Sequence, residues 1–118
     1  MELKGIWETK EVYLYGQPLK KVKTAQALEV SPEKLQFSWG GTGREDHILA
    51  FTLLYQLMSK EDATHYMELF CEDFIAKIPK DDFETEFSMV YWRNNRADVG
   101  RKRNLVDKYG DAGDMDDD

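Results

Sequence analysis

Apolar positions along this chain first cluster and alternate as they do in strands, then, from His47 onward, recur at helical spacing. Leu3, Ile6 and Trp7, followed by Val12, Tyr13, Leu14 and Tyr15, are aliphatic and aromatic types that suit a pleated surface, so residues 3 to 7 and 10 to 15 are predicted strands. Gly16-Gln17-Pro18 then makes a turn, and a return strand from Leu19 to Val22 would complete a hairpin over residues 10 to 23. Ser31-Pro32-Glu33 marks another turn. Beyond it Leu35, Phe37 and Trp39 alternate on one face, which predicts a further strand from Lys34 to Trp39.

The period changes after Trp39. A first helix is expected to begin near Thr42 to Arg44, with Thr42 as its cap and Glu45 and Asp46 where the helix dipole favours negative charge. Ile48, Leu49, Ala50, Phe51, Leu53, Leu54, Tyr55, Leu57 and Met58 cover nearly its whole circumference, leaving Glu45, Thr52 and Gln56 as a polar stripe. A helix apolar on most sides is buried on most sides, so this one is central. A second helix from Lys60 to Ile78 starts at Ser59, with Asp62 three residues on as in a capping box, and ends at Pro79. Its face Ala63, Tyr66, Met67, Phe70, Phe74, Ile75 and Ile78 is amphipathic, and the short link makes the two helices an antiparallel hairpin. In Asp81 to Trp92 the alternation of Phe83, Phe87, Met89 and Tyr91 suits a strand, whereas Phe87, Val90 and Tyr91 suit a short helix capped by Thr85; the helix is the reading adopted.

These elements describe an α+β fold, an N-terminal antiparallel sheet of three to four strands packed on an antiparallel helix pair. Charge then divides the chain. Residues 1 to 92, read as a single domain, hold 10 Lys/Arg against 16 Asp/Glu; residues 93 to 108 hold 6 against 2; residues 109 to 118 hold none against 5. An acidic body therefore leads into a basic segment with Arg93, Arg96, Arg101, Lys102, Arg103 and Lys108, and that into an acidic end too poor in apolar residues to offset its ordering entropy and expected to be disordered. Cys71 is the only cysteine, which excludes an internal disulfide and suits a reduced compartment. Met1 to Gly5 lack the pattern of a signal peptide and no apolar run approaches membrane-spanning length, so a soluble cytoplasmic protein is expected.

The run Phe37-Ser38-Trp39-Gly40-Gly41-Thr42-Gly43, the Leu/Ala-rich helix behind it, the second helix with its Ile78-Pro79 ending and the acidic-aromatic segment after that resemble a family of small uncharacterised proteins, a domain of unknown function found in bacteria, archaea and their viruses. The matching stretch is Leu35 to about Trp92, with Tyr13, Gly16 and Pro18-Leu19 echoing the family's N-terminal hairpin. Family members carry a longer Trp-Gly-Tyr-Gly-Gly-Ser-Gly-Pro run with Gln-Leu-Ala nearby; here Arg44 stands in place of the proline and Asp46-His47-Ile48-Leu49-Ala50 replaces the rest. The resemblance implies an α+β fold and no established activity.

Candidate chemistry is sparse. There is no complete catalytic triad, zinc-ligand array or nucleotide fingerprint, and no catalytic residue, metal or cofactor is expected. Gly40, Gly41, Thr42, Gly43 and Arg44 could bind phosphate or another small ligand, since free backbone N–H groups at a helix start attract anions. The loop lacks a P-loop Lys-Ser/Thr pair, and Glu45 and Asp46 would repel phosphate, so glycines serving a tight turn are the favoured reading. Glu61, His65, Glu68 and Glu72 line one side of the second helix as a solvated face or, less simply, a divalent-metal stripe. Cys71 reads as a packed thiol and His47 as a local hydrogen-bonding group.

Arg93, Arg96, Arg101, Lys102 and Arg103, preceded by Tyr91 and Trp92, could contact nucleic acid or an acidic partner, against the alternative of a self-neutralised segment. The acidic surface and the aromatic Trp7, Tyr13 and Tyr15 suit association with a protein. The leading expectation is a non-enzymatic binding protein that occupies or bridges a macromolecular partner, as small viral or mobile-element inhibitors and accessory proteins do. A nucleic-acid-binding accessory protein and a protein binding phosphate or a small ligand are the alternatives.

Overall fold

The computed structural model describes residues 1–94. The chain divides into two compact units, Met1–Glu86 and a second beginning at Phe87. In the first unit β1 (Glu2–Ile6), β2 (Glu11–Leu14), β3 (Gln17–Pro18) and β4 (Phe83–Glu86) form an antiparallel sheet in the order β3-β2-β1-β4. Helices α1 (Val22–Leu28), α2 (Arg44–Tyr55) and α3 (Lys60–Asp73) lie between β3 and β4 in the chain. The expected α+β architecture is thus present. No helix among the described residues is long and apolar enough to cross a membrane.

The register sorts the sheet into two chemically different faces. Leu3 pairs with Leu14 and Thr85, and Gly5 pairs with Val12 and Phe83, so these side chains share the inner face. Glu2, Lys4, Glu11, Tyr13, Glu84 and Glu86 alternate with them on the outer face. Leu49, Leu53 and Leu54 of α2, Phe70 of α3 and Trp39 fill the core with no significant exposure.

Several elements differ from their sequence reading. The return strand expected over residues 19 to 22 stops at Pro18, which has no N–H to extend a ladder. Leu19 still donates its N–H to the Val12 carbonyl at 2.8 Å, and the chain then turns into α1, a helix the pattern did not predict. Residues 34 to 39 form no strand: Pro32–Lys34 is a 3-10 turn, and Leu35, Phe37 and Trp39 send alternate side chains into the core without a ladder partner. The sheet position beside β1 is taken instead by β4, drawn from the segment read as helical. Phe83 and Thr85 point inward and Glu84 and Glu86 outward, so two-residue alternation prevails there. The second unit contains the short helix α4 (Met89–Trp92), capped by Ser88 rather than Thr85, with Ser88 Oγ accepting the Tyr91 N–H at 3.0 Å.

The helix pair also has different ends. Helix α2 is capped by Gly43, not Thr42. Helix α3 stops at Asp73, where Phe74 leaves helical angles, and a 3-10 turn over Ile75–Lys77 carries the chain to Pro79. Ser59 caps α3 by accepting the Asp62 N–H at 3.1 Å. Thr52, read as part of a polar stripe, is 0% exposed. It lies under α1.

Candidate functional site

Trp39 organises the glycine loop. Its Nε1–H donates to the Asp81 carbonyl at 3.0 Å, and its ring meets Trp7 and Phe83 edge to face at centroid distances of 5.5 and 4.9 Å. Gly40 has φ of +88° and donates its N–H to Ile75 O at 2.9 Å; a Cβ there would lie 2.5 Å from Lys80 Cγ and 3.1 Å from Ile78 O. Only glycine fits both the angle and the space.

Gly43 and Gly41 are engaged by side chains of the protein itself. Asp46 is 8% exposed, and its Oδ2 accepts the Gly43 N–H at 3.0 Å. A carboxylate of the chain itself thereby occupies the N–H at the helix cap, and its charge opposes an incoming anion. Asp46 Oδ1 is buried and has no hydrogen-bond partner among the described residues. His47 Nδ1–H donates to Gly43 O at 2.8 Å, since a carbonyl can only accept. The Cys71 thiol donates weakly to Gly41 O at 3.6 Å, and burial, with Asp46 and Glu72 nearby, pushes it up to about 11. Gly41, Thr42 and Arg44 complete the loop, with Thr42 and Arg44 exposed.

A different surface, which holds the expected Tyr13, gathers carboxylates that the sequence pattern alone does not bring together. On the outer face of the sheet, Glu2 stands directly across from Glu86, Lys4 lies between Tyr13 and Glu84, and Glu11 shares the face. Four carboxylates thus surround one lysine. Tyr13 is half-buried, its hydroxyl 3.3 Å from Glu11 Oε1, and the charge of Glu11, with lesser help from desolvation, raises its pKa. A shallow depression of about 510 Å³ runs over this face between Glu2, Lys4, Tyr13, Gly16, Glu84 and Glu86.

Tyr15 stands at the hairpin tip, 61% exposed, with φ of +53° beside Gly16 at +78°. This two-residue turn with both φ positive normally takes Asn or Gly at its first position. A tyrosine there holds a large aromatic in solvent on a left-handed backbone. Trp7 separates from the two tyrosines: it belongs to the Trp39 cluster, with Lys10 Nζ 3.5 Å from its ring centroid and its own N–H donated to Asp82 Oδ1 at 2.7 Å.

In comparison with known proteins, a family of unknown function, DUF6166, matches residues 6–104. The chain belongs to this family. It agrees with the resemblance to a small uncharacterised domain and brings the glycine loop, the helix pair and β4 into one matched stretch. Neither a curated protein nor a solved structure matches.

Of the basic candidates, Arg93 falls at the end of α4, while Arg96, Arg101, Lys102 and Arg103, like the acidic tail, lie outside the described residues. Glu61, His65, Glu68 and Glu72 are all exposed on α3, and among the described residues no three His, Cys, Asp or Glu side chains gather as a metal cluster. The signal for the acidic face lay in Phe83-Glu84-Thr85-Glu86, whose alternation places two carboxylates together only once a neighbouring strand is known.

Proposed function

We propose that this protein is a non-enzymatic binding protein that engages a basic segment of a partner protein on the outer face of its sheet. The observation that carries the reading is the direct opposition of Glu2 and Glu86 within a field that also holds Glu11 and Glu84. Like charges across a strand pair destabilise a sheet, and a cationic residue at either position would relieve the repulsion. A face that keeps them is complementary to Lys and Arg side chains, and Tyr13 and the strained, exposed Tyr15 add aromatic surfaces on which such cations stack. The outer-face field repels polyanions, so this surface does not serve nucleic acid directly.

The test is fluorescence anisotropy of a labelled arginine-rich peptide and of an acidic peptide of equal length against the full chain. Saturable binding of the basic peptide is expected, weakening steeply with salt. The expected response to Glu84→Lys with Glu86→Lys is loss of binding in a protein of unchanged circular dichroism. Equal affinity for both peptides, or an unaltered affinity in the double variant, refutes the proposal.

A further inference from the structure

A second concave surface, on the helical side, has the opposite chemistry. A groove of about 460 Å³ runs between α2 and α3 and is walled by the end of α1. Ile48, Phe51, Met67 and Leu28 make it apolar, while Arg44, His47 and Lys60 supply its nitrogen-bearing groups, with Thr64 beside them. Arg44 opens α2 and Lys60 opens α3, so in an antiparallel pair the two permanent cations stand toward opposite ends of the groove. The helix rise puts roughly 10 Å between the levels of Arg44 and Phe51.

These cations are uncommitted. Lys21 and Lys23 donate to the carbonyls of Leu35 and Tyr55 at 3.0 Å, and Lys10 covers the Trp7 ring. Among the described residues the Arg44 guanidinium and the Lys60 ammonium have no hydrogen bond, ion pair or ring contact. Two free cations thus border an apolar groove among whose described lining residues none is acidic.

We infer that this groove is a binding site for a small amphipathic organic anion, an extended apolar chain carrying a carboxylate. Its apolar body lies along Ile48, Phe51 and Met67, and its anionic group is held by Arg44 or Lys60 at an end of the groove. The volume falls within the range of small-ligand sites, and charge complementarity selects an anion over a neutral or cationic amphiphile. The site uses Arg44 without the glycines; the Gly40 and Gly43 N–H groups are already taken by Ile75 O and Asp46.

The test is isothermal titration of the full chain with dodecanoate below its micelle concentration, with dodecyltrimethylammonium as the charge-reversed probe. One-to-one binding of dodecanoate alone is expected, falling roughly tenfold or more in Arg44→Gln with Lys60→Gln, as loss of charge-assisted contacts requires. Thr64→Trp, a change at an exposed helix position that fills the groove, should abolish binding without altering the fold. No saturable binding, equal binding of the ammonium probe, indifference to both sets of substitutions, or binding to anionic vesicles without binding to monomeric dodecanoate would each overturn the inference.

Discussion

The hydroxyl of Thr24 in α1 lies 2.9 Å from that of Thr52 in α2, and both side chains are buried. Thr52 Oγ1 donates to the Ile48 carbonyl at 2.8 Å, so its single proton is used and Thr24 is the donor between the two hydroxyls. Thr52→Val strands a buried donor at Thr24 and should cost about 1–3 kcal/mol. Adding Thr24→Val should recover part of that loss, because no unpaired hydroxyl remains. Urea denaturation of the two single variants and the double variant checks the sign of the coupling.

That pair also explains how far the sequence could be read. The circumference of α2 was legible because Ile48, Leu49, Leu53 and Leu54 leave few outward positions. Thr52 reads as solvent-facing because nothing in its own helix shows that another hydroxyl will meet it. Helix α1 leaves no periodic signal because it buries only Thr24 and Ala25, too small a face. The alternation of Leu35, Phe37 and Trp39 did identify a buried face, but burial and ladder pairing are separate properties. Which strand joins β1 depends on a contact between residues far apart in the chain, and the outer acidic face exists only through that pairing.

Gly5→Ala should be poorly tolerated although it sits in a strand. A Cβ at that position would lie 2.2 Å from Phe83 Cε1 and 2.9 Å from Trp39 Cη2, the rings that cover the glycine. Overpacking of this kind costs about 1–3 kcal/mol. Denaturation with intrinsic tryptophan fluorescence should show a lowered midpoint and an altered emission from the Trp7 and Trp39 pair. Gly5→Ala with Phe83→Leu should recover part of the stability.

Stability and partner binding should move in opposite directions on the outer face. Glu86→Lys converts a like-charge pair with Glu2 into an opposite one and is expected to stabilise by about 0.2–1 kcal/mol. Tyr15→Asn relieves a left-handed backbone position and should also stabilise, by about 1 kcal/mol. Each should weaken binding of a basic peptide while raising the melting temperature. A rise in affinity with either change would separate this face from the proposed role.

The thiol of Cys71 predicts a pH response. Its folded value of about 11 lies above the ordinary 9.0, so the native state holds the proton more tightly than the unfolded chain. This contribution is fully present below pH 9 and is lost as pH rises toward about 11. Thiol labelling at neutral pH should be slow until denaturant is added. Asp46→Asn removes the nearby charge that is the second cause of the shift and should lower the thiol's titration midpoint, read from thiolate absorbance.

The pairing of β1 with β4 has a consequence for the newly made chain. Of the strands of this sheet, β1 is the first to leave the ribosome and β4 the last. The hairpin with β2 can form early, but the other edge of β1 keeps its N–H and C=O groups unpaired while α1, α2 and α3 are synthesised. During that interval Gly5 leaves a gap that Phe83 has yet to fill, and Trp39 lacks one of its two aromatic neighbours. A nascent chain stalled before residue 83 therefore presents an open strand edge beside an uncovered tryptophan, a target for chaperone capture that vanishes when four more residues emerge.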